Sequence, residues 1–231
     1  MHTMIRLAIY YTPPPDSDLV ETAAAWLGRN NTTGSYLGQP ELFSVSRERL
    51  REITKTPFHY GFHGTIKPPF QLAPNVTIEQ VVERLEEFAV HHKQFVLPPL
   101  ELKCMHDFFC LRPTRYCSQL HGLACEAVRY FDEFRLPATD EELQKRRGAG
   151  LSPRQETMLT TWGYPYLLDE FRFHLTLTGK LGDGHEKTIL QQELIDRFPL
   201  HLYQAVPFDA LCLFVEIDGA PLSIFRRVIL R

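Results

Sequence analysis

The hydrophobic and polar positions of this chain follow two patterns, the two-residue repeat of a strand and the three- and four-residue repeat of a helix. Strands are predicted at residues 5–11, 61–70, 100–105, 108–111, 171–178, 208–217 and 222–230. Helices are predicted at residues 19–27, 46–54, 78–89, 120–134, 152–163 and 186–198. A segment rich in Asn, Thr, Gly and Pro at residues 30–41 is predicted to be a loop.

Short polar signals define the ends of several elements. Thr77 with Gln80, and Ser152 with Gln155, have the spacing of a capping box at a helix N-terminus. Gly163 is the predicted end of the second of these helices. The polar pairs at residues 106–107 and 218–219 predict tight turns between the flanking strands.

The order strand, helix, hairpin occurs twice along the chain. Both leading strands contain Phe-His-x-Thr, and His174 follows His63 by 111 positions, about half the chain. Internal duplication is the simplest explanation. We therefore expect one two-lobed domain over residues 1–231, with a first repeat at about 57–134 and a second at about 166–231. The charged segment at about 135–165 is expected to form a surface excursion between them.

The second His-x-Thr strand alternates strictly between apolar and polar residues. Since strand side chains alternate faces, Phe171, Phe173, Leu175 and Leu177 should point into a core. The polar positions should then share the opposite face; they are Arg172, His174, Thr176 and Thr178.

The first His-x-Thr strand has the same pattern. Phe62 and Ile66 are predicted to face the core, and His63, Thr65 and Lys67 the opposite side. Each polar face would thus carry an imidazole beside a hydroxyl, with one cation nearby. A solvated face of an antiparallel sheet is the alternative interpretation of either strand alone.

Two such faces across a cleft would suit phosphodiester chemistry. One neutral histidine would take a proton from the attacking water or hydroxyl, and the other, protonated, would give one to the departing oxygen. Histidine fits this pair of roles because its ordinary pKa of about 6.5 lets both protonation states coexist near neutrality. The threonine hydroxyls, with Lys67 or Arg172, would hold the phosphoryl oxygens.

Composition narrows the classes of function. With 44% hydrophobic and 23% charged residues and a net charge of −3, the chain has the profile of a globular protein and lacks the positive field of a general nucleic-acid binder. No stretch approaches the ~20 apolar residues of a membrane span. We therefore expect a cytoplasmic protein with no membrane partner and no strong nucleic-acid binding. The five cysteines are odd in number, lack a CxxC pair, and are predicted to be reduced.

The strings HGTIKPPF and FRFHLTLTG, which begin at His63 and Phe171, resemble the two signature motifs of the 2H phosphoesterase superfamily. The wider match includes IRLAIYYTPPP, LSPRQ and WGYPY and covers most of the chain. It resembles the branch described as phosphonate metabolism proteins.

The resemblance implies an α+β fold in which duplicated antiparallel sheets flank a central groove, with helices on the outer faces. It implies that His63 and His174 are catalytic and that Thr65 and Thr176 bind phosphate. Lys67 and Arg172 are added as substrate-binding candidates from strand parity. The implied activity is hydrolysis of a small cyclic phosphate, of the 2′,3′-cyclic or ribose 1,2-cyclic type, with no cofactor. The oligomeric state is left open.

Three alternatives remain at this point. The groove could belong to a non-catalytic nucleotide-binding or pathway-accessory protein, or to an enzyme that processes or ligates 2′-5′ RNA. A metal site on the two histidines is the third, but zinc usually takes at least three protein ligands and no further ligand has a recognisable spacing. Lys145, Arg146 and Arg147, together with Arg154, are either a cationic lid over a phosphate or a solvated charged loop.

Overall fold

The computed structural model describes residues 3–148, 150–182, 184–199 and 202–231. Its strands are β1 (Ile5–Tyr11), β2 (Gly64–Gln71), β3 (Phe95–Leu97), β4 (Leu100–Met105), β5 (Phe108–Pro113), β6 (Leu175–Thr176), β7 (Val206–Phe208), β8 (Ala210–Ile217) and β9 (Ser223–Ile229). Its α-helices are α1 (Asp18–Leu27), α2 (Arg47–Tyr60), α3 (Ile78–Val90), α4 (Ser118–Tyr130), α5 (Asp140–Arg147), α6 (Pro153–Trp162) and α7 (His185–Arg197). Short 3-10 helices cover Asp132–Phe134 and Leu168–Glu170.

Within these ranges, seven strands form one antiparallel sheet in the order β4-β5-β6-β2-β1-β8-β9, and β3 pairs with β7 separately. Helix α3 packs against β8 and β9, and α4 packs against β2. The combination of helices with an antiparallel sheet confirms the predicted α+β class.

The two His-x-Thr strands, β2 and β6, are neighbours at the centre of the sheet. The hairpin β4–β5 follows β2 in the chain but pairs with β6. The hairpin β8–β9 follows β6 but extends the sheet on the β2 side, through β1. The hairpin of each predicted repeat therefore lies on the side of the His-x-Thr strand of the other repeat, within one sheet. We call these the exchanged hairpins.

The alternation of side chains along β1 shows how the sheet separates two clusters. Leu7, Ile9 and Tyr11 belong to the main hydrophobic core. Ala8 and Tyr10, on the opposite face, pack in a smaller cluster with Cys212, Phe214 and Leu222. This smaller cluster lies beneath the site described below, because Tyr10 contacts His63 directly.

Both predicted capping boxes are confirmed. The second His-x-Thr strand, predicted at residues 171–178, is shorter and covers only Leu175–Thr176. Helix α2 is longer than expected and continues through Pro57 to Tyr60. A proline has no N–H to give to the carbonyl four residues earlier. Here the Ile53 carbonyl instead accepts from the Gly179 N–H at 2.5 Å, which ties α2 to the segment after β6.

Helix α5 was expected only as part of a charged surface segment. It has no buried residue, so it lacks the apolar periodicity by which helices are recognised. Its signal is a capping box formed by Thr139 and Glu142, with acidic residues in its first turn and basic residues in its last.

Candidate active site

The register between β2 and β6 brings the four motif residues together. Gly64 pairs with Leu175 in an antiparallel arrangement. Continuing this register by one residue in each direction places His63 beside Thr176 and Thr65 beside His174. Leu175 is fully buried on the core side, so the four polar side chains lie on the other face.

His63 is held by three contacts. Its Nδ1 lies 2.8 Å from the Gly61 carbonyl oxygen, and its Nε2 lies 3.2 Å from Oγ1 of Thr65. Its ring stacks on Tyr10 with centroids 3.7 Å apart. Because a carbonyl oxygen only accepts, Nδ1 carries the hydrogen, and in the neutral ring the Thr65 hydroxyl donates to Nε2.

His174 has the equivalent backbone contact. Its Nδ1 lies 2.7 Å from the carbonyl oxygen of Arg172, again two residues earlier in the chain. The Phe108 ring lies beside the imidazole, with centroids 5.4 Å apart. Both histidines therefore have the same tautomer, which leaves Nε2 as the atom available for proton transfer.

Burial lowers the pKa of both histidines. The pKa of His63 falls to about 4, mainly by desolvation and further by the charge of His174, while the hydrogen bond to Gly61 opposes the fall. Desolvation also lowers the pKa of His174, against the opposing hydrogen bond to Arg172. Both rings are thus neutral at pH 7 in the free protein.

Two glycines make this arrangement sterically allowed. Gly61 has φ 75° and ψ 170°, a region open essentially to glycine alone, and a Cβ there would overlap the Asn31 side chain. A Cβ on Gly64 would overlap the Phe173 ring on the core side. Gly61 and Asn31 were not among the predicted site residues, although a glycine next to a His motif was visible in the sequence.

Two side chains differ from the strand-parity prediction. Lys67 is only 2% exposed, and its Nζ donates to the Val128 carbonyl at 3.0 Å and to Asp132 at 3.3 Å. The predicted solvent-facing position was wrong because α4 and the turn after it cover this part of β2. Thr178 is also buried, because its Oγ1 accepts from the Phe109 N–H where the β5–β6 ladder ends.

Arg172 is exposed, as expected from parity, but no contact joins it to the other motif side chains. Its guanidinium donates to the carbonyl oxygens of Asp169 and Phe171. The structure therefore brings together His63, Thr65, His174 and Thr176 and does not place Arg172 with them.

The three arginines considered as a lid have different environments. Arg147 forms an ion pair with Glu156, and Arg154 forms one with Asp169. The Arg146 guanidinium lies over the Tyr164 ring, 5.2 Å from its centroid. Only Arg146 of these three lacks a carboxylate partner within the described residues.

The part of the chain that the structure describes contains neither a metal-binding cluster nor a membrane-spanning helix. No group of three or more His, Cys, Asp or Glu side chains there has the arrangement of a metal site. Among the described helices, none combines the length and the apolar character that a bilayer crossing requires.

Residues 65–223, more than half of the chain, match the family described as "Protein of unknown function (DUF1045)". The chain belongs to this family. This DUF1045 chain is similar to two curated proteins called "Ribose 1,5-bisphosphate phosphokinase PhnN". It is 34% identical to the one from Janthinobacterium sp. (strain Marseille), over 98% of this chain and 51% of the relative. It is 32% identical to the one from Laribacter hongkongensis (strain HLHK9), over 97% and 52%.

The DUF1045 chain thus spans about half the length of these curated relatives. Among solved structures, it is similar to E. coli LigT complexed with 3′-AMP, at 12% identity, 98% coverage of each chain and a TM-score of 0.44. Another similar structure is described as a phosphoesterase.

Proposed function

We propose that this chain is a metal-independent phosphodiesterase that opens a small cyclic phosphate ester by two-histidine general acid/base catalysis. One observation carries the proposal. Two adjacent strands present His63 beside Thr176 and Thr65 beside His174 on one face, and each imidazole has its Nδ1 held by a backbone carbonyl. This pairing supplies two Nε2 atoms and two hydroxyls to one ligand-sized area.

The reaction proceeds as follows at such a site. The neutral imidazole takes a proton from water as the water oxygen forms a bond to phosphorus. The ester P–O bond in the ring breaks, and the imidazolium gives its proton to the departing oxygen. The product is a phosphomonoester with a free hydroxyl. Thr65 and Thr176 donate hydrogen bonds to the non-bridging phosphoryl oxygens, where negative charge increases in the transition state.

The curated relatives carry a phosphokinase name, which describes proteins about twice as long. This chain contains no GxxxxGK[ST] segment, the loop by which P-loop kinases bind nucleotide phosphates. The name of both relatives nevertheless contains a phosphorylated ribose, and this supports a ribose cyclic phosphate as the substrate class. Together with the resemblance to the phosphonate branch, it supports a place in phosphonate metabolism.

The test is a phosphorus NMR screen in the presence of EDTA. The substrates are ribose 1,2-cyclic phosphate, 2′,3′-cyclic nucleotides and a 2′-5′ dinucleotide, and the variants are His63→Asn and His174→Asn. An Asn amide can still donate to the carbonyl that holds Nδ1, but it offers nothing at the Nε2 position. Each variant is expected to lose roughly 10²–10⁴-fold in kcat, the usual contribution of one acid or base.

His91→Asn is the matched control, because His91 is an exposed histidine at the end of α3, which packs on β8 and β9. It should retain native turnover. If no substrate is turned over and both site variants still bind nucleotide, the chain is a binding protein and the enzyme proposal is wrong. Activity that EDTA abolishes and a divalent metal restores would also overturn the proposal.

A further inference from the structure

A pocket of about 590 Å³ lies beside Tyr60, a neighbour of His63. Tyr60 lines it, and the Tyr60 ring centroid lies 6.3 Å from that of His63. Its other walls come from the N-terminal part of β1, the second half of β2, α5, and the end of α6 with the turn that follows. This volume is within the range of pockets that hold a whole small-molecule ligand.

The described residues that line this pocket include five cationic side chains and one carboxylate. The cations are Arg6, Lys67, Arg135, Lys145 and Arg146, and the carboxylate is Glu142. Lys145 and Arg146 are consecutive residues of α5, whereas the other three cations come from β1, β2 and the segment after α4. The fold therefore adds distant cations to a short basic run.

Part of this charge is already neutralised. Arg6 pairs with the buried Glu216 at 3.1 Å, and Lys67 and Arg135 share Asp132. Lys145 and Arg146, at the end of α5, have no ion pair within the described residues. The pocket therefore retains an excess of positive charge.

Two of the cations, Lys67 and Arg146, are held in place and still have N–H groups that could bind an anion. The Lys67 ammonium is buried and carries three N–H donors, of which the Val128 carbonyl and Asp132 accept two. The Arg146 guanidinium is half-buried and is held over the Tyr164 ring, which leaves its five N–H groups free of a carboxylate. An ordered, partly desolvated cation loses little entropy when it binds an oxyanion.

We propose that this pocket binds a phosphomonoester that the substrate carries in addition to its cyclic phosphodiester. The inference rests on the proposed function, and it narrows the substrate to a sugar with two phosphorus groups, a cyclic one at the histidines and a terminal one in the pocket. The terminal group is dianionic near neutrality, which suits an excess of cations better than a neutral hydroxymethyl group does. Tyr60 contacts both places, because it lines the pocket and its ring centroid lies 6.3 Å from that of His63.

The experiment compares kcat/KM for ribose 1,2-cyclic phosphate with and without a 5-phosphate. We expect the native protein to prefer the phosphorylated compound by about 100-fold or more. Arg146→Gln should reduce this preference by roughly 10- to 100-fold, the effect of one hydrogen-bonded charge. Arg147→Gln is the matched control, because Arg147 is the next residue of α5, pairs with Glu156 and does not line the pocket. It should leave the preference unchanged.

A second measurement separates this inference from the proposed function. Titration calorimetry with ribose 5-phosphate, which has no phosphodiester to open, should show binding that Arg146→Gln weakens and Arg147→Gln does not. If this binding is seen but neither cyclic compound is turned over, the assignment of the anion pocket stands and the proposed phosphodiesterase activity is wrong. Three results would overturn the pocket assignment. They are equal kcat/KM of the native protein for the two cyclic compounds, binding of ribose 5-phosphate no tighter than that of inorganic phosphate, and equal effects of the two arginine variants.

Discussion

Each motif histidine donates its Nδ1 hydrogen to the carbonyl of the residue two positions earlier, Gly61 for His63 and Arg172 for His174. A hydrogen bond within the same strand segment fixes the tautomer without a separate carboxylate. The rings therefore stay neutral more readily than a histidine paired with Asp or Glu, whose charge would raise the pKa. Desolvation lowers the pKa of both groups, against the opposing effect of these hydrogen bonds.

The lowered pKa values predict an acid-shifted pH profile. Catalysis needs one neutral and one protonated histidine, and kcat/KM reports the pKa values of the free enzyme. With the pKa of His63 at about 4 and that of His174 below 6.5, kcat/KM should be bell-shaped with its maximum between those limits. The kcat profile should peak at higher pH, because the bound phosphate anion raises the pKa of the histidines beside it. Initial rates from pH 3.5 to 9 test this; a kcat/KM that is flat, or maximal above pH 6.5, contradicts it.

Gly61 is a positioning residue for His63. Replacing it with Ala should cost about 1–3 kcal/mol in the free energy of unfolding, because the backbone conformation is strained for any L side chain and the Cβ meets Asn31. Since the Gly61 carbonyl holds His63, kcat should fall as well. Urea unfolding and steady-state rates measure the two effects.

Gly34→Ala provides the comparison for Gly61→Ala. Gly34 also has a positive φ of 71°, but a Cβ added there would meet no neighbouring atom within 4 Å. Its cost should be about 1–2 kcal/mol, from the backbone conformation alone, with native kcat. Equal kcat in the two variants would show that Gly61 does not position the histidine.

At the scale of elements, the site depends on the contact between β2 and β6. Within the described residues, Gly64 and Leu175 are the only Cα partners that join these two strands. The closeness of the strands at this point depends on Gly64, whose missing side chain leaves room for the Phe173 ring on the core face. Further anchors of the β6 segment are the Trp26 indole N–H on the Leu177 carbonyl and the Gly179 N–H on Ile53.

Gly64→Ala should therefore destabilise the protein by about 1–3 kcal/mol, the usual cost of overpacking a core. It should also reduce kcat, because separation of the strands moves His63 away from His174. Phe173→Leu in the same chain should recover part of both losses, since it removes the atoms that the new methyl group meets. A double-mutant cycle on urea unfolding measures the coupling; purely additive effects of the two changes would refute a direct contact.

At the scale of the whole molecule, the exchanged hairpins distribute the site over most of the chain. His63 rests on Tyr10 of β1, which also pairs with β8 near the C-terminus. His174 lies beside Phe108 of β5, which precedes it by more than 60 residues. The histidine pair is therefore a product of long-range pairing, and changes to either hairpin are transmitted to the strand beside it.

Local chemistry allowed much of the secondary structure to be predicted from the sequence. Strand alternation, capping boxes and turn residues act over two to four positions, so β1, α3, α6 and the β4–β5 hairpin follow from neighbouring residues. The four motif positions were also recognisable, because His-x-Thr on an alternating strand places both polar side chains on one face. The resemblance to a known family supplied the function that these residues suggested.

The tertiary structure decided which strands became neighbours and which polar groups were buried. Lys67 obeys the same alternation as Thr65, yet a helix distant in sequence covers it, and its ammonium bonds to Val128 and Asp132. The cationic pocket likewise joins Lys145 and Arg146, a basic pair in α5, to Arg6 of β1 and Lys67 of β2, which lie far from it in sequence. Burial, pKa and charge density depend on groups brought together from distant parts of the chain, and strand periodicity contains no information about them.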